Sequence, residues 1–380
     1  MTGAAGGAVA IVGAAECDLG ATGRTTAELQ SQAVTRALAD AGLELRHVDG
    51  LATNGFGRFP ATQLADYLGL RPAWSESTFA GGAVFEMYVA RAAQAVAAGQ
   101  ATTVVISYAS NQRTARSRTL AAGADASLPE AQFEAPYHPL YPMSFYAMAA
   151  HRYLYRFGLS RADLAEVAVA AREWARLNPK AWHHDSPPLT VDEVLSAPMV
   201  SSPLSTLDSC LVTDGGGAVV LTSLERARDL PKPPVAVLGY GEATSHTAMA
   251  TPPDLLDTGA ADAGRRAFAA AGLTPGDIDV AQVYDAFTIS VPLALEALGL
   301  AEPGAGPELV RSRRLPINTS GGGLAYCHPG QFGILLLVEA VRQLRGECGE
   351  RQVAGARTAL VHGTGGILSS HATVILGVDA

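Results

Sequence analysis

Four residues with acid–base side chains stand beside small or glycine-rich segments of the chain: Tyr284, Tyr326, His328 and His362. A phenol, with a usual pKa near 10, transfers protons efficiently only if its surroundings bring that pKa towards neutrality. A neutral imidazole can donate a hydrogen bond to a developing oxyanion. Which of these tasks each side chain performs depends on the elements that position it.

Each of the four residues also has a purely structural interpretation. Tyr284 could pack as an aromatic residue at the end of a strand, and Tyr326 could pack beside a glycine-rich turn. His328 could bond to its own turn, and His362 could be a buried histidine satisfied by neighbouring hydroxyls. Asp285 is predicted to make a structural hydrogen bond at the strand end.

The elements around these residues follow one pattern that occurs twice. The matching runs are 9–16 with 235–242, 37–43 with 267–273, 80–82 with 321–323, and 103–108 with 358–363. β-branched runs that end in glycine indicate strands, and alanine-rich runs that end in glycine indicate helices, so helix ends are predicted at Gly272 and Gly346. The order predicts two strand–helix–strand–helix–strand halves, at residues 1–231 and 232–380, with a glycine-rich segment before an inner helix in each.

The two halves differ most between about 111 and 205, where the first carries an insertion rich in Pro, Tyr, His and Trp. Long insertions on a rigid scaffold commonly form lids or binding loops. We therefore assign the insertion to the substrate region, with a packing or dimer arm as the alternative. His138, Tyr141, His183 and His184 are further candidates for substrate contacts.

The composition narrows the possible partners. The 380 residues are 48% hydrophobic and only 17% charged, which predicts that apolar surface is buried between the subunits of an oligomer. A net charge of -9 offers no basic surface for nucleic acid or an anionic membrane. The four scattered cysteines lack metal-ligand spacing, and no signal or membrane-spanning segment is evident, so we expect a soluble cytoplasmic protein without a metal site.

Four motifs carry a family resemblance: VYDAFT at 283–288, NTSGGGLAYCHPG at 318–330, VRQLRG at 341–346 and HGTGG at 362–366. Together they resemble the thiolase superfamily, within it the group related to sterol carrier protein X and the steroid side-chain-cleaving aldolases. The resemblance implies an α/β thiolase-like fold, in which duplicated βαβαβ halves form a five-layer αβαβα sandwich. It also implies a dimer.

The usual nucleophile of this family is missing. The resemblance places a cysteine at the helix that follows the first glycine pair, where the helix dipole lowers the thiol pKa. Residues 76–82 read ESTFAGG, with Thr78 as the nearest match, and no cysteine lies between Cys17 and Cys210. Thr78 is predicted to cap the helix. The standard route through an acyl-cysteine at this place is therefore excluded.

The resemblance also assigns roles to the four acid–base residues. The cysteine-free aldolases of the superfamily carry tyrosines at the places of Tyr284 and Tyr326, which implies that these two phenols supply the acid and the base. His328, of the Gly-His-Pro type, is implied to hold an enolate together with backbone amides. His362, on the turn after the last long strand, stands where thiolases have a second cysteine or a histidine. Cys327 should point away from His328 by alternation.

The predicted function is that of an aldolase, a lyase in lipid or steroid metabolism, that cleaves or forms a carbon–carbon bond on a 3-hydroxyacyl-CoA type thioester without a cysteine nucleophile. The coenzyme A thioester is the substrate, and no cofactor is expected to be tightly bound. The resemblance implies a separate partner protein with an OB-fold and a zinc ribbon. Two alternatives stay open: an acyltransferase or Claisen-type thiolase with His362 or His328 as base, and a non-catalytic subunit of a heteromeric complex.

Overall fold

The computed structural model describes residues 8–117, 126–252 and 254–378. The strands are β1 (Val9–Glu16), β2 (Gly50–Thr53), β3 (Trp74–Glu76), β4 (Thr103–Ser110), β5 (Met199–Ser201), β6 (Leu204–Ser205), β7 (Gly215–Ser223), β8 (Val235–Thr244), β9 (Val280–Val283), β10 (Thr358–Gly365) and β11 (Ser370–Val378). The helices are α1 (Thr26–Asp40), α2 (Pro60–Leu68), α3 (Val84–Ala97), α4 (Met143–Phe157), α5 (Arg161–Arg176), α6 (Val191–Ser196), α7 (Leu224–Ala227), α8 (Ala260–Ala271), α9 (Ser290–Ala297), α10 (Gly306–Ser312) and α11 (Gly333–Arg345). Within those described ranges, none of the helices has the length and apolar character needed to cross a membrane.

Local sequence signals set several helix boundaries. Helix α1 begins at a capping box, in which Thr25 and Glu28 bond to each other's backbone N–H. Helices α8 and α11 end at Gly272 and Gly346, whose φ angles of 67° and 73° lie in the left-handed region that favours glycine. The helix ends predicted at these two glycines are confirmed.

Nine strands form one sheet in the order β3-β2-β4-β7-β1-β8-β11-β10-β9. The first five belong to the first half of the chain and the last four to the second. The halves are joined through β1 and β8, where Ala10 lies opposite Ala236 and Ile11 opposite Val235. Each half ends in an antiparallel strand, β7 or β11, that lies beside the first strand of its own half.

The two half-sheets pack on either side of α3 and α11. Both helices contact strands of both halves and each other, while α1 covers the outer face of the first half and α8 that of the second. Helix α8 comes close because Gly239 and Gly241 lack side chains: a Cβ on Gly239 would lie 2.3 Å from the Ala267 carbonyl oxygen. This layer order confirms the predicted five-layer sandwich.

The glycine triplet that was expected directly before the second inner helix forms a separate turn instead. A single wide helical turn spans Gly322–Tyr326, and α11 begins only at Gly333. Asp285, which follows β9, holds this turn in place, because the N–H of Gly323 donates to its carboxylate at 2.7 Å. Pro329 has no N–H with which to continue a helical hydrogen-bond ladder.

The insertion at 111–205 contains α4, α5, α6, β5 and β6, and its residues 118–125 lie outside the described residues. Helix α4 does not stay within the first half. Its buried Tyr146 and Tyr153 join a hydrophobic cluster with Phe287, Ile289 and Leu368 of the second half. The insertion is therefore packed against the segments that follow β9 and β10.

A buried ion pair joins α11 to the segment that follows it. Glu339 and Arg351 are 3% and 7% exposed, and the guanidinium Nε donates to the carboxylate at 3.0 Å. The same carboxylate accepts hydrogen bonds from Thr319 Oγ1 at 2.7 Å and from Gln343 Nε2 at 3.2 Å. The Glu339 carboxylate of α11, the Arg351 guanidinium and the Thr319 hydroxyl thus belong to one network.

Replacing Arg351 by Met should lower the free energy of unfolding by about 3–5 kcal/mol, because the Glu339 carboxylate would stay buried without its counter-charge. Urea unfolding of the variant and the wild type measures the difference. The double variant Glu339→Leu/Arg351→Met is the control and should recover most of the loss, since no buried charge remains. An Arg351→Met protein as stable as the wild type would contradict the prediction.

Candidate active site

Four segments that contain glycine or follow a strand meet at the ends of the inner helices. They are residues 80–82, Tyr284, residues 328–333 and residues 363–366. A Cβ on Gly82 would lie 2.1 Å from Cε2 of Tyr284, and one on Gly333 would lie 2.3 Å from the Gly82 carbonyl oxygen. A Cβ on Gly365 would lie 1.7 Å from the Ala80 carbonyl oxygen. Only glycine permits these approaches, and we call this meeting point the glycine crossing.

Tyr284 and His328 form a hydrogen-bonded pair at the glycine crossing. The phenol oxygen lies 3.2 Å from Nε2 of His328, and the rings meet edge to face at 5.8 Å. The N–H of Phe332 donates to the same phenol oxygen at 3.2 Å. The N–H of Gly330 donates to Nδ1 of His328 at 3.4 Å, which assigns the proton of the neutral ring to Nε2. The phenol oxygen then accepts two hydrogen bonds, and its own proton can be given to another acceptor.

The backbone of His328 is held from two distant parts of the chain. Its N–H donates to Thr213 Oγ1 at 2.9 Å, and its carbonyl oxygen accepts from Gln112 Nε2 at 2.8 Å. The hydroxyl of Tyr108 donates to the carbonyl oxygen of Pro329 at 2.9 Å. The sequence interpretation missed all three partners, because no motif marks a side chain that bonds only to distant backbone.

The surroundings of Tyr284 favour the neutral phenol. Burial raises the pKa of Tyr284 well above 10, and the neighbouring Cys210 and Tyr146 raise it further, while the N–H of Phe332 lowers it. This direction is opposite to the shift towards neutrality that a phenolate base needs. Tyr284 is therefore suited to act as an acid that donates a proton, and not as a base that first removes one.

A thiol also lies near this pair. Cys210 is partly buried, and its N–H donates to the carbonyl oxygen of Ala286 at 2.9 Å. It lies within electrostatic range of the phenols of Tyr284 and Tyr146. The sequence interpretation missed this proximity. Cys210 precedes a strand, so the thiol lacks the helix dipole that would stabilise a thiolate.

The place expected for the family's nucleophile holds no thiol and no helix cap. Helix α3 begins at Val84, and its N-cap Ala83 makes no side-chain cap bond. Thr78 lies further upstream, where its hydroxyl bonds to the Glu76 carboxylate and its carbonyl oxygen accepts from Tyr88 Oη at 2.7 Å. The cap predicted for Thr78 is wrong, because the residue lies in the loop between β3 and α3 and the N-cap is Ala83.

Tyr326 ends the wide turn before α11, two residues ahead of His328. It is buried in the wide turn before α11, and the charges that act on it most strongly are those of Glu16, Cys327 and Arg342. Burial raises the pKa of Tyr326 well above 10. Within the described part of the chain, no hydrogen bond joins its hydroxyl to the pair. Its acid–base role stays a prediction.

His362 stands within β10 and not on the turn after it, so its predicted location is wrong; the strand continues to Gly365. Gly363 faces α3, since a Cβ there would lie 2.7 Å from Cα of Ala83. Successive side chains of a strand point to opposite faces, so the ring of His362 faces the outer helix layer. The structure thus places this imidazole and the glycine crossing on different faces of the sheet.

On that outer face, His362 belongs to a second buried polar group. Its Nδ1 lies 2.8 Å from Thr373 Oγ1, and its Nε2 lies 3.3 Å from Nδ1 of His371. Burial lowers the pKa of His362 well below 6.5 and that of His371 to about 4, so both rings are neutral. The backbone alone links His362 to the crossing, because its carbonyl oxygen accepts from the Tyr284 N–H at 3.0 Å. A proton-transfer role for His362 stays a prediction.

Two neighbouring residues behave as structural groups. Cys327 is fully buried with its Sγ 3.1 Å from Thr213 Oγ1, and burial raises its thiol pKa to about 12. The structural hydrogen bond predicted for Asp285 is confirmed, since its carboxylate accepts from Gly323 N–H at 2.7 Å and from Leu324 N–H at 3.3 Å. In the ranges that the structure covers, no group of three or more His, Cys, Asp and Glu side chains could hold a metal ion.

The four candidates from the insertion differ in burial. His183 donates its N–H to the Ala325 carbonyl oxygen at 3.2 Å, and burial lowers its pKa to about 4. His184 is partly buried, whereas His138 and Tyr141 are exposed. The roles of all four as substrate contacts stay predictions.

Asp285 should make the free energy of unfolding decrease as the pH rises from about 4 to about 7. Burial raises its pKa from 3.8 to about 7, so the folded state keeps a proton that the unfolded chain has already lost. The difference between the wild type and Asp285→Asn, measured by urea unfolding across this pH range, isolates the effect, which is roughly 4 kcal/mol at most. The same pH slope in both proteins would contradict the prediction.

Comparisons with known proteins show the family of the chain. The family described as "Thiolase, N-terminal domain" matches residues 9–225, and "Thiolase C-terminal domain-like" matches residues 241–378. The chain is 36% identical over 386 residues to the 17-hydroxy-3-oxo-4-pregnene-20-carboxyl-CoA lyase of Mycobacterium tuberculosis, covering 96% of this chain and 98% of the relative. It is 33% identical over 382 residues to an acetyl-CoA acetyltransferase of Methanothermobacter thermautotrophicus, with coverages of 96% and 98%.

A further relative and two solved structures extend the similarity. The steroid side-chain-cleaving aldolase of Thermomonospora curvata is 35% identical over 394 residues, covering 98% of both chains. The solved structure named Ltp2-ChsH2(DUF35) aldolase superposes with a TM-score of 0.90 at 32% identity, over 99% of each chain. Human mitochondrial 3-ketoacyl-CoA thiolase, at 18% identity and a TM-score of 0.72, shares the fold over 98% of this chain and 99% of its own. The resemblance inferred from the four motifs is confirmed, and the chain belongs to the thiolase family.

Proposed function

We propose that the chain is a thiolase-like carbon–carbon lyase, an aldolase that cleaves or forms the bond between the α and β carbons of a 3-hydroxyacyl-CoA type thioester. The observation that carries this proposal is the phenol of Tyr284, which occupies the glycine crossing with two hydrogen-bond donors on its oxygen. The segment at 76–82 offers no thiol. Relatives named as a lyase and an aldolase, at 36% and 35% identity, support the same chemistry.

Aldol cleavage needs no covalent intermediate. The β-hydroxyl gives its proton to a second acid–base group, the bond between the α and β carbons breaks, and the electron pair moves into a thioester enolate that is then protonated at the α carbon. Tyr284 is suited to this last step as a neutral acid. The phenolate that it becomes is held by the Nε2–H of His328 and the N–H of Phe332. Backbone amides of the glycine-rich turns supply the donors for the enolate oxygen.

Replacing Tyr284 by Phe should lower the rate of 3-hydroxyacyl-CoA cleavage by about a hundredfold to ten-thousandfold, because only the proton-carrying oxygen is lost. Product formation is followed by chromatography under saturating substrate, with the unfolding midpoint as a check of the fold. Tyr155→Phe is the matched control, since Tyr155 is 84% exposed, and should keep the wild-type rate. Wild-type turnover in Tyr284→Phe would overturn the proposed function.

One observation favours the acyltransferase alternative. Cys210 lies near Tyr284, and the chain is 33% identical to a protein named acetyl-CoA acetyltransferase. In the lyase reaction Cys210 makes no bond to substrate, so Cys210→Ser should change the cleavage rate by less than about threefold. Rapid quenching followed by peptide mass spectrometry tests for an acyl group on the thiol. An acylated Cys210 peptide, together with a large loss of rate in the variant, would favour the acyltransferase.

We also infer that the chain works as a cytoplasmic homodimer with a separate OB-fold and zinc-ribbon protein that helps to hold the acyl-CoA. The solved aldolase that superposes at a TM-score of 0.90 carries a double name, Ltp2-ChsH2, which supports a partner. The test compares cleavage by the chain alone with cleavage after addition of candidate partners. Full activity of the chain alone would contradict the need for a partner. A non-catalytic subunit is favoured instead if the complex stays active after Tyr284 and His328 are both replaced.

A further inference from the structure

We propose that Tyr146, in the first turn of α4, is a second acid–base phenol of this site, in the role that the sequence assigned to Tyr326. The inference rests on the aldol function proposed above and names a residue that the insertion contributes to it. Three groups of contacts support it: the bond of its hydroxyl, the packing of its ring and its proximity to Tyr284.

The hydroxyl of Tyr146 is anchored to the glycine crossing. Tyr146 is 3% exposed, and its Oη donates to the carbonyl oxygen of Gly366 at 3.3 Å. Gly366 lies against the loop before α3, since a Cβ on Gly81 would be 2.7 Å from the Gly366 nitrogen. The next residue of that loop, Gly82, lies against the Tyr284 ring. A helix of the insertion thus brings a phenol to the place where the four segments of the glycine crossing meet.

The ring of Tyr146 is held by the segment that carries Tyr284. Its centroid lies 4.4 Å from that of Phe287, at an interplanar angle of 38°, and Phe287 follows Tyr284 by three residues. Ile289 and Leu368 complete the apolar cluster around it. Tyr146 and Tyr284 are also within electrostatic range of each other and of Cys210. The two phenols therefore belong to one buried site, whereas Tyr326 lies in the range of Glu16 and Arg342.

Two neutral phenols can complete the proposed reaction without a prior ionisation. The proton of the substrate β-hydroxyl enters Tyr146 as the proton of Tyr146 moves on to Tyr284, and the proton of Tyr284 goes to the α carbon. The electron pair of the O–H bond forms the new carbonyl, and that of the broken carbon–carbon bond ends in the new C–H bond. No net charge is created on the protein. The 3.3 Å bond to Gly366 is long for an O–H donor, so the hydroxyl can leave the Gly366 carbonyl and donate to Tyr284 while its oxygen accepts the proton of the substrate.

The test is the variant Tyr146→Phe, which keeps the ring on Phe287 and removes only the hydroxyl. We expect kcat for 3-hydroxyacyl-CoA cleavage to fall about a hundredfold and KM to change by less than about twofold, since the hydroxyl acts in the proton transfer rather than in binding. Tyr155→Phe on the same helix is the control and should keep the wild-type kcat. Unfolding midpoints verify that both variants are folded.

Tyr284→Phe and Tyr326→Phe, measured in parallel, separate the two proposals. A large loss of kcat in Tyr146→Phe with a smaller loss in Tyr326→Phe supports the inference. Full activity of Tyr146→Phe beside an inactive Tyr284→Phe would overturn the inference and leave the lyase function standing. If the wild type with its partner cleaves no 3-hydroxyacyl-CoA, or if Tyr284→Phe is fully active, the proposed function itself fails and the inference fails with it.

Discussion

The site depends on backbone segments that approach more closely than any side chain would allow. Gly82 lies against the Tyr284 ring, Gly333 against the Gly82 carbonyl and Gly365 against Ala80, each at a distance that would exclude a Cβ. These contacts fix where α3 and α11 begin relative to the last residues of β9 and β10. The amide of Phe332 and the ring of Tyr284 meet as a consequence.

The same close packing decides the kind of acid–base chemistry that is available. A site closed by backbone contacts excludes water, and exclusion of water favours the neutral form of Tyr284. Proton transfer in such a place proceeds best between neutral partners that pass a proton along. A thiolate nucleophile would instead need the charge-stabilising end of a helix, and residues 76–82 place no thiol there.

The insertion and the inner layers act as one unit. Gln112, at the start of the insertion, donates to the carbonyl oxygen of His328, and Thr213, after the insertion, accepts from its N–H. Helix α4 packs its aromatic residues on the segment after β9. The insertion, which belongs to the first half of the chain, thus supports the second half. The predicted division at residues 231 and 232 stays a prediction.

The sequence by itself determined the duplicated architecture, the helix ends at Gly272 and Gly346 and the loss of the thiol, because each depends on residue type or on local backbone preference. Only the tertiary structure decided the neighbours of each acid–base side chain. It turned Tyr326 towards buried charges, placed His362 on the outer face of its strand and brought Tyr146 to the glycine crossing. These outcomes depend on contacts between residues far apart in the chain, and no local pattern encodes them.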